Sequence, residues 1–449
     1  MTSNSPGLFL REGNPDAIAA CRLAGLAFLS HRNCAQDHLA DALRCDPDIA
    51  EAHVLSGLLH ILMARTDTLE LARRASQRTR VILDRRERHS SVAPMVTALA
   101  LACDGYWRKA ADVLEQALDQ AAPDPVLVKI THLLRFMSGD AAGMLSLTQP
   151  FADRDGDHAP GFGFILGCHA FALEENGLLV EAEEMAQLAL HRERDDVWAM
   201  HALAHVYDVS NRTGEGLLWV ESGRQHWAGC NNFASHMCWH LALFNLDRGR
   251  GERALEIYDR DIAPNRTEDF RDFANAVSLL TRLQQMGVDT GPRMEALHGA
   301  AVKRLEDTTY VFASLHYLLP VLAHRDSATA ERLIAGLEKR AAGQDGDQSC
   351  IARDVGVPLA RMLAAAARDK ERRDGLVALA EGLPGIGGSV VQRDLFLRSL
   401  ILMADDVCDH KTTNALLAQR SRMRQEDAFA RMMDARMCFG GSAGSQHVA

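Results

Sequence analysis

Residues 176–186 read NGLLVEAEEMA, in which a tight turn is followed by apolar residues at helical spacing. Residues 104–114, DGYWRKAADVL, and residues 248–258, RGRGERALEIY, repeat this arrangement. In each stretch an alanine stands five positions after the turn glycine, and successive turn glycines are 72 residues apart. Turn residues also occur halfway, at Gly139-Asp140-Ala141 and Asn211-Arg212-Thr213, so the repeating unit spans about 36 residues.

The composition of the repeats indicates helices joined by turns. Ala, Leu, Arg and Glu recur at helical spacing, and alternating runs of β-branched residues are scarce. Asp46-Pro47 and Asp124-Pro125 place a capping residue and a proline at the start of a helix. A helix-turn-helix unit of about 34 residues is typical of tetratricopeptide repeats. The sequence therefore predicts an all-α fold, a tetratricopeptide-like right-handed α-solenoid of antiparallel helix pairs.

A solenoid explains the length of the chain without several domains, because each repeat contacts only its neighbours. We predict one solenoid over residues 1–436 of the 449. Its repeat-periodic part covers about residues 36–264, and a less regular helical part covers residues 265–436. Residues 437–449 are rich in glycine and small polar residues, so we expect a flexible tail there.

The bulk composition limits the classes of partner. Apolar residues make up 47%, charged residues make up 24%, and the net charge is −11. This acidic balance disfavours nucleic acid, which needs a basic face, and no apolar stretch predicts a membrane span. The ten cysteines form no CxxC pair, and the first residues lack the features of a signal peptide. We therefore expect a cytoplasmic protein with reduced thiols.

Two HxxxH motifs are the main candidates for a functional site. His201 and His205 form the first motif, and His236 and His240 form the second, 35 positions later. Histidines four residues apart lie on one face of a helix. A separation of one repeat places both motifs at equivalent positions on the first helices of successive repeats. His169, 36 residues before His205, occupies the equivalent position one repeat earlier. We therefore expect these imidazoles to line one concave groove.

The motifs leave three interpretations open. The histidines could be structural and hydrogen-bonded between helices. They could line a groove for a small molecule or a peptide, together with Trp198 and Trp239. They could also bind a transition-metal ion or haem, since neutral imidazole is the commonest metal ligand. Without a metal, histidines can act as general acid and base. No HExxH, P-loop or GxSxG motif accompanies them.

Several longer stretches between residues 160 and 436 form a recognisable pattern. They include residues 196–205, DVWAMHALAH, and residues 235–244, SHMCWHLALF. The most specific elements are residues 352–359, ARDVGVPL, and residues 387–394, GGSVVQRD. In this order the stretches resemble the tetratricopeptide repeat protein 38 family. The resemblance implies a continuous solenoid-like fold whose C-terminal helices close over the groove.

The resemblance also implies a set of site residues. Those it carries over are His201, His205, His236, Trp239, His240, His316, Arg353, Asp354, Arg393 and Asp394. Where the family pattern has carboxylates, this chain has Ser314 and Asn275. Each Arg-Asp pair is either a buried structural ion pair or a clamp whose guanidinium holds a carboxylate or phosphate in the groove.

These observations predict a helical repeat protein whose His-lined groove binds a small molecule or a peptide. The alternative is an enzyme that uses the histidines for acid-base or metal-assisted chemistry, and the second alternative is a scaffold for protein partners. The sequence specifies neither a reaction nor an oligomeric state. The histidines expected to converge on one interior cavity are His201, His205, His236, His240 and His316. The expected ligand contacts are Trp198, Trp239, Asn275, Arg353, Asp354, Arg393 and Asp394.

Overall fold

The structure, a computed structural model, describes residues 14–86, 92–119, 124–152, 161–263, 269–343, 346–368 and 375–440. Helices account for 81% of these residues, and no strand occurs among them. The all-α prediction is confirmed for this part of the chain. None of the described helices is long and apolar enough to cross a membrane.

The first half of the chain alternates short helices and tight turns. Its helices are α1 (Pro15–Leu29), α2 (Ala35–Cys45), α3 (Ala50–Leu62), α4 (Thr66–Arg86), α5 (Ala93–Cys103), α6 (Trp107–Asp119), α7 (Pro125–Met137), α8 (Ala141–Ala152), α9 (Phe162–Glu175), α10 (Leu179–Arg192), α11 (Val197–Val209), α12 (Thr213–Ser222) and α13 (Arg224–Trp227). Sequential helices such as α5 and α6, α7 and α8, and α9 and α10 pack against each other.

The second half continues with helices of more variable length. They are α14 (Phe233–Asp247), α15 (Gly251–Ile257), α16 (Phe270–Gln285), α17 (Arg293–Val302), α18 (Val311–Ala323), α19 (Ser327–Ala342), α20 (Asp347–Ile351), α21 (Val357–Arg368), α22 (Leu376–Gly382), α23 (Val390–Asp405), α24 (His410–Ser421) and α25 (Ala428–Gly440). Two π-helical turns, Tyr258–Ile262 and Ala352–Gly356, follow α15 and α20.

Local chemistry explains where several of these helices begin. Asp124 accepts hydrogen bonds from the backbone N–H groups of Val126 and Leu127, and Pro125 occupies the first helical position of α7. Ser389 and Gln392 form a capping box at the start of α23. Both devices satisfy backbone donors that have no partner inside the helix.

The turns occur where the repeat spacing predicts them. Five of them have a residue with positive φ, namely Gly105, Gly139, Gly177, Asn211 and Gly249. Their spacing alternates between 34 and 38 residues. Glycine adopts positive φ without steric cost, and asparagine tolerates it better than most residues. The alanines five positions after the predicted turn glycines are fully buried, as close helix packing requires; they are Ala110, Ala182 and Ala254.

The chain divides into two compact units. As far as the residues are described, the first comprises Met1–Leu203, Gly223–Ala234 and Gly343–Cys350, and the second comprises Ala204–Ser222, Ser235–Ala342 and Ile351–Ala449. The prediction of one solenoid over residues 1–436 stays a prediction. Within the predicted tail, residues 437–440 belong to α25, and residues 441–449 lie outside the described residues.

Candidate functional site

Three of the predicted histidines come together in the second unit. His205 lies on α11, and His236 and His240 lie one turn apart on α14. One ring nitrogen of each lies within 4.8 Å of those of the other two. The His240 ring is centred 4.9 Å from the His205 ring and 4.8 Å from the His236 ring. We call His205, His236 and His240 the histidine group.

The surrounding protein keeps two of these rings neutral near pH 7. His240 is completely buried, and His236 is partly exposed. Desolvation lowers the pKa of His236 to about 4. The pKa of His240 is held well below its usual value, first by desolvation and then by the neighbouring His236 and His205 rings. Neutral imidazole is the form that binds a metal ion or accepts a proton.

Asn275, on α16, orients His236. The Nδ1–H group of His236 donates to Oδ1 of Asn275 over 3.0 Å, which leaves the lone pair on Nε2. Asn275 is 2% exposed, and its Nδ2 has no hydrogen-bond partner among the described residues. The amide therefore both fixes the ring and offers a buried donor. The resemblance pointed to Asn275, and the structure places it in contact with a predicted histidine.

Trp239 flanks the histidine group on α14. Its ring stacks on that of His236 at 5.2 Å with an interplanar angle of 17°. The guanidinium carbon of Arg282 lies 5.9 Å from the Trp239 ring centroid. Sequence reasoning did not select Arg282, although Ser278 and Arg282 follow Asn275 at helical spacing on an otherwise apolar stretch.

His201, the remaining residue of the two HxxxH motifs, belongs to the first unit, as does Trp198. His201 lies one turn before His205 on α11. Its ring is 5.3 Å from that of Phe171, 5.2 Å from that of Trp198 and 5.2 Å from that of Phe233. The surroundings of His201 in this unit are therefore aromatic, and its role as a metal ligand or catalytic group stays a prediction.

His316, on α18, is not a member of the histidine group. Its Nδ1–H group donates to the carbonyl oxygen of Phe312 over 2.8 Å. Its ring packs 4.3 Å from that of Phe312 and 5.0 Å from that of Phe396. Desolvation lowers the pKa of His316 to about 4. The Nδ1–H group of His316 is thus satisfied by a helix carbonyl group, and the charge of Arg282 also lowers the pKa of this histidine, after desolvation.

The two Arg-Asp elements have different surroundings. Arg353 and Asp354 are exposed, and Nε of Arg353 donates to the carbonyl oxygen of Ala341 over 3.3 Å. The interpretation of this element as a buried ion pair is therefore wrong, because both side chains reach the surface. Arg393 is partly buried and donates to the carbonyl oxygen of Gly388.

Asp394 belongs to a buried network of ion pairs with residues more distant in the sequence. Its Oδ1 lies 2.6 Å from Nε of Arg420, and its Oδ2 lies 3.2 Å from Nη1 of Arg282. The further members of the network are Asp427, Arg424, Asp247 and Asp208. The positive charges of Arg282 and Arg424 also contribute to the low pKa of His240, after desolvation and the two histidine rings. The network is thus electrostatically coupled to the histidine group.

A comparison of the sequence with models of known protein families finds no match. The resemblance to the tetratricopeptide repeat protein 38 family therefore rests on the quoted motifs alone.

Proposed function

We propose that this protein binds a transition-metal ion through the histidine group and uses the ion to hold a small molecule with an oxygen acceptor. The observation that carries the proposal is the convergence of three ring nitrogens, one from each histidine, within 4.8 Å of one another. Zinc takes imidazole nitrogens at about 2.0–2.1 Å. Small rotations of the three side chains would bring nitrogens at this separation into one coordination shell.

The chemistry of the donor set supports the ion. Imidazole ligands suit zinc, copper, iron and nickel. Metal-binding histidines usually donate their second N–H group to an oxygen of the protein, as His236 does to Asn275. Three protein ligands leave one position of a tetrahedral site for water or a ligand, which is the arrangement of catalytic zinc sites. A bound ion would supply Lewis acidity to that ligand.

The neighbouring polar groups suggest the chemistry of the ligand. Nδ2 of Asn275 and Nε1 of Trp239 are buried donors without a hydrogen-bond partner among the described residues. A buried donor without an acceptor costs about 1–3 kcal/mol. A carboxylate, carbonyl or hydroxyl oxygen of a small molecule or a peptide would satisfy them. The same histidines and buried donors would serve either the binding of this small molecule or its metal-assisted conversion, so the proposal includes both.

The repeat spacing supports a finer assignment of the fold. Turns that alternate by 34 and 38 residues, with buried alanines after them, match the step of tetratricopeptide helix pairs. We propose a right-handed tetratricopeptide-like α-solenoid related to the tetratricopeptide repeat protein 38 family.

The test is the metal content and zinc affinity of the full chain purified without a histidine tag. We expect about one zinc, copper, iron or nickel ion per chain, and tight zinc binding by the metal-free protein in calorimetry. His240→Ala should abolish this binding, whereas His316→Ala, a matched change of another buried histidine, should retain it. Asn275→Ala should weaken binding by roughly 10–100-fold, the usual effect of losing a residue that orients a ligand.

Two results would contradict a metal site at the histidine group. If the metal-free protein binds no ion, or if His240→Ala binds as tightly as the parent, the histidine group is not a metal site. His201→Ala separates a three-histidine site from a four-histidine site, because only the latter loses affinity when His201 is removed.

A further inference from the structure

The first unit contains a buried lysine in an unusual setting. Lys129, on α7, is completely buried. Its Nζ donates to the carbonyl oxygen of Leu29, the last residue of α1, over 3.1 Å. Nζ also lies 5.1 Å from the centroid of the Trp198 ring. Among the described residues, no carboxylate forms an ion pair with it.

The choice of lysine is informative because the chain strongly prefers arginine. It contains six lysines and 43 arginines. Lys129 is the only lysine among the buried residues of the described chain. A guanidinium stays charged under all ordinary conditions, whereas an amine can lose its proton when water is excluded. The chain uses arginine at its other buried cationic positions among the described residues. If position 129 needed only a positive charge, arginine would serve there equally well.

Several polar atoms have no hydrogen-bond partner among the described residues, and they belong to side chains that contact Lys129 or interact with it electrostatically. They are Nδ1 and Nε2 of His132, Nε1 of Trp198 and Oδ2 of Asp196. His132 and Asp196 are completely buried, and Trp198 is 5% exposed. The His132 ring is 5.9 Å from the Trp198 ring at an interplanar angle of 87°. A buried polar atom without a hydrogen-bond partner lowers stability by about 1–3 kcal/mol. The grouping of several such atoms around one amine therefore indicates a binding site for a polar ligand.

The donors and acceptors match one kind of molecule. The indole N–H of Trp198 and one ring N–H of His132 are donors for a carboxylate, and the amine of Lys129 is a nucleophile for a carbonyl carbon. We propose that Lys129 forms an imine with a small 2-oxo acid, with Asp196 as the group that carries the proton.

The chemistry of this step balances without a further reactant. The lone pair of Nζ attacks the carbonyl carbon, the carbonyl oxygen takes a proton from Asp196, and a carbinolamine forms. Asp196 then takes a proton from the nitrogen and passes it to the hydroxyl group, which leaves as water while the C=N bond forms. The proton that remains on the nitrogen returns to Asp196. Two hydrogens of the amine and the carbonyl oxygen thus end in one water molecule, and no redox change occurs.

The electrostatic setting agrees with these roles. Desolvation lowers the pKa of Lys129, and the neighbouring Asp196 offsets this only in part. Desolvation raises the pKa of Asp196 to about 7. Oδ1 of Asp196 accepts from the backbone N–H groups of Trp198 and Ala199, so the carboxyl group is held in place while Oδ2 carries the proton.

The competing explanation is purely structural, with Lys129 capping the C-terminal end of α1 through Leu29. The two explanations differ in a covalent test. The full chain is incubated with glyoxylate and cyanoborohydride at about pH 6.5, and the modified lysines are located by peptide mass spectrometry. Exposed lysines, with a pKa of about 10.4, are almost entirely protonated and react slowly at this pH. The other five lysines of the chain are internal controls.

We expect Lys129 to be modified at least about 10-fold faster than Lys109, and the Lys129→Met variant to lose this fast phase. Asp196→Asn can still cap α11 through its side-chain oxygen but cannot carry the proton. It should therefore fold and slow the modification of Lys129 by roughly 10²-fold, within the range of general acid–base catalysis. The proposal is overturned if Lys129 stays unmodified in the parent protein, or reacts no faster than Lys109.

Discussion

Replacing Asp394 by asparagine tests whether the second Arg-Asp element is structural. Asp394 is 6% exposed, and it lies between the buried guanidinium groups of Arg420 and Arg282. Desolvation alone would raise its pKa, but Arg420 and Arg282 hold the pKa of this carboxyl well below its usual range. The variant leaves both arginines without this carboxylate. Removing one partner of a buried ion pair costs about 3–5 kcal/mol, so we expect Asp394→Asn to lower the free energy of unfolding by that amount.

The other Arg-Asp element provides the matched control. Asp354 follows an arginine just as Asp394 does, but it is exposed. Asp354→Asn should change the free energy of unfolding by no more than about 0.5 kcal/mol, as is usual for surface substitutions. Urea denaturation followed by circular dichroism at 222 nm, in the helical band, measures both variants. A loss below about 1 kcal/mol for Asp394→Asn, or equal losses for the two variants, would refute the structural assignment and return Asp394 to the candidate ligand contacts.

Two further predictions concern pH and packing. Because the pKa of His316 falls from 6.5 to about 4 on folding, the unfolded chain binds more protons between these values, and stability drops as the pH falls through this window. The contribution of His316 to the loss of stability should reach roughly 3 kcal/mol at pH 4, at about 1.36 kcal/mol per pKa unit. His316→Gln should remove this part of the pH dependence in denaturation curves measured from pH 7 to pH 4. Gly167→Ala should cost about 1–3 kcal/mol, because its Cβ would meet the Asp196 carboxylate. Gly299→Ala, in a helix with open space around it, should instead raise stability by up to about 1 kcal/mol; equal effects of the two glycine variants in thermal unfolding would contradict this explanation.

The helical repeat could be predicted from the sequence because its signals are local. Gly105, Gly177 and Gly249 mark turns through their own backbone preference, and the structure gives each a positive φ. Asp124 caps α7 through neighbours two and three residues away. Such features depend on short segments, so a single sequence displays them directly.

The candidate site could be predicted only in part. The HxxxH spacing correctly placed His236 and His240 on one face of α14, and the repeat spacing brought His205 to them. The resemblance suggested His316 for the same cavity. The structure places its ring against Phe312 and Phe396, outside the histidine group, and its place in the cavity stays a prediction. The neighbours of a buried side chain come from helices distant in the sequence, so a local pattern does not reveal them.

The amino-acid sequence by itself determined the helical class, the turn positions and the two histidine motifs, because periodicity and capping act within a few residues of the chain. Only the tertiary structure decided which side chains share a buried environment. Arg282 meets Asp394 across 112 positions, and Lys129 meets the carbonyl group of Leu29 across 100. Their charges, proton affinities and chemistry depend on the exclusion of water by packed helices, and that exclusion exists only once distant segments of the chain have come together.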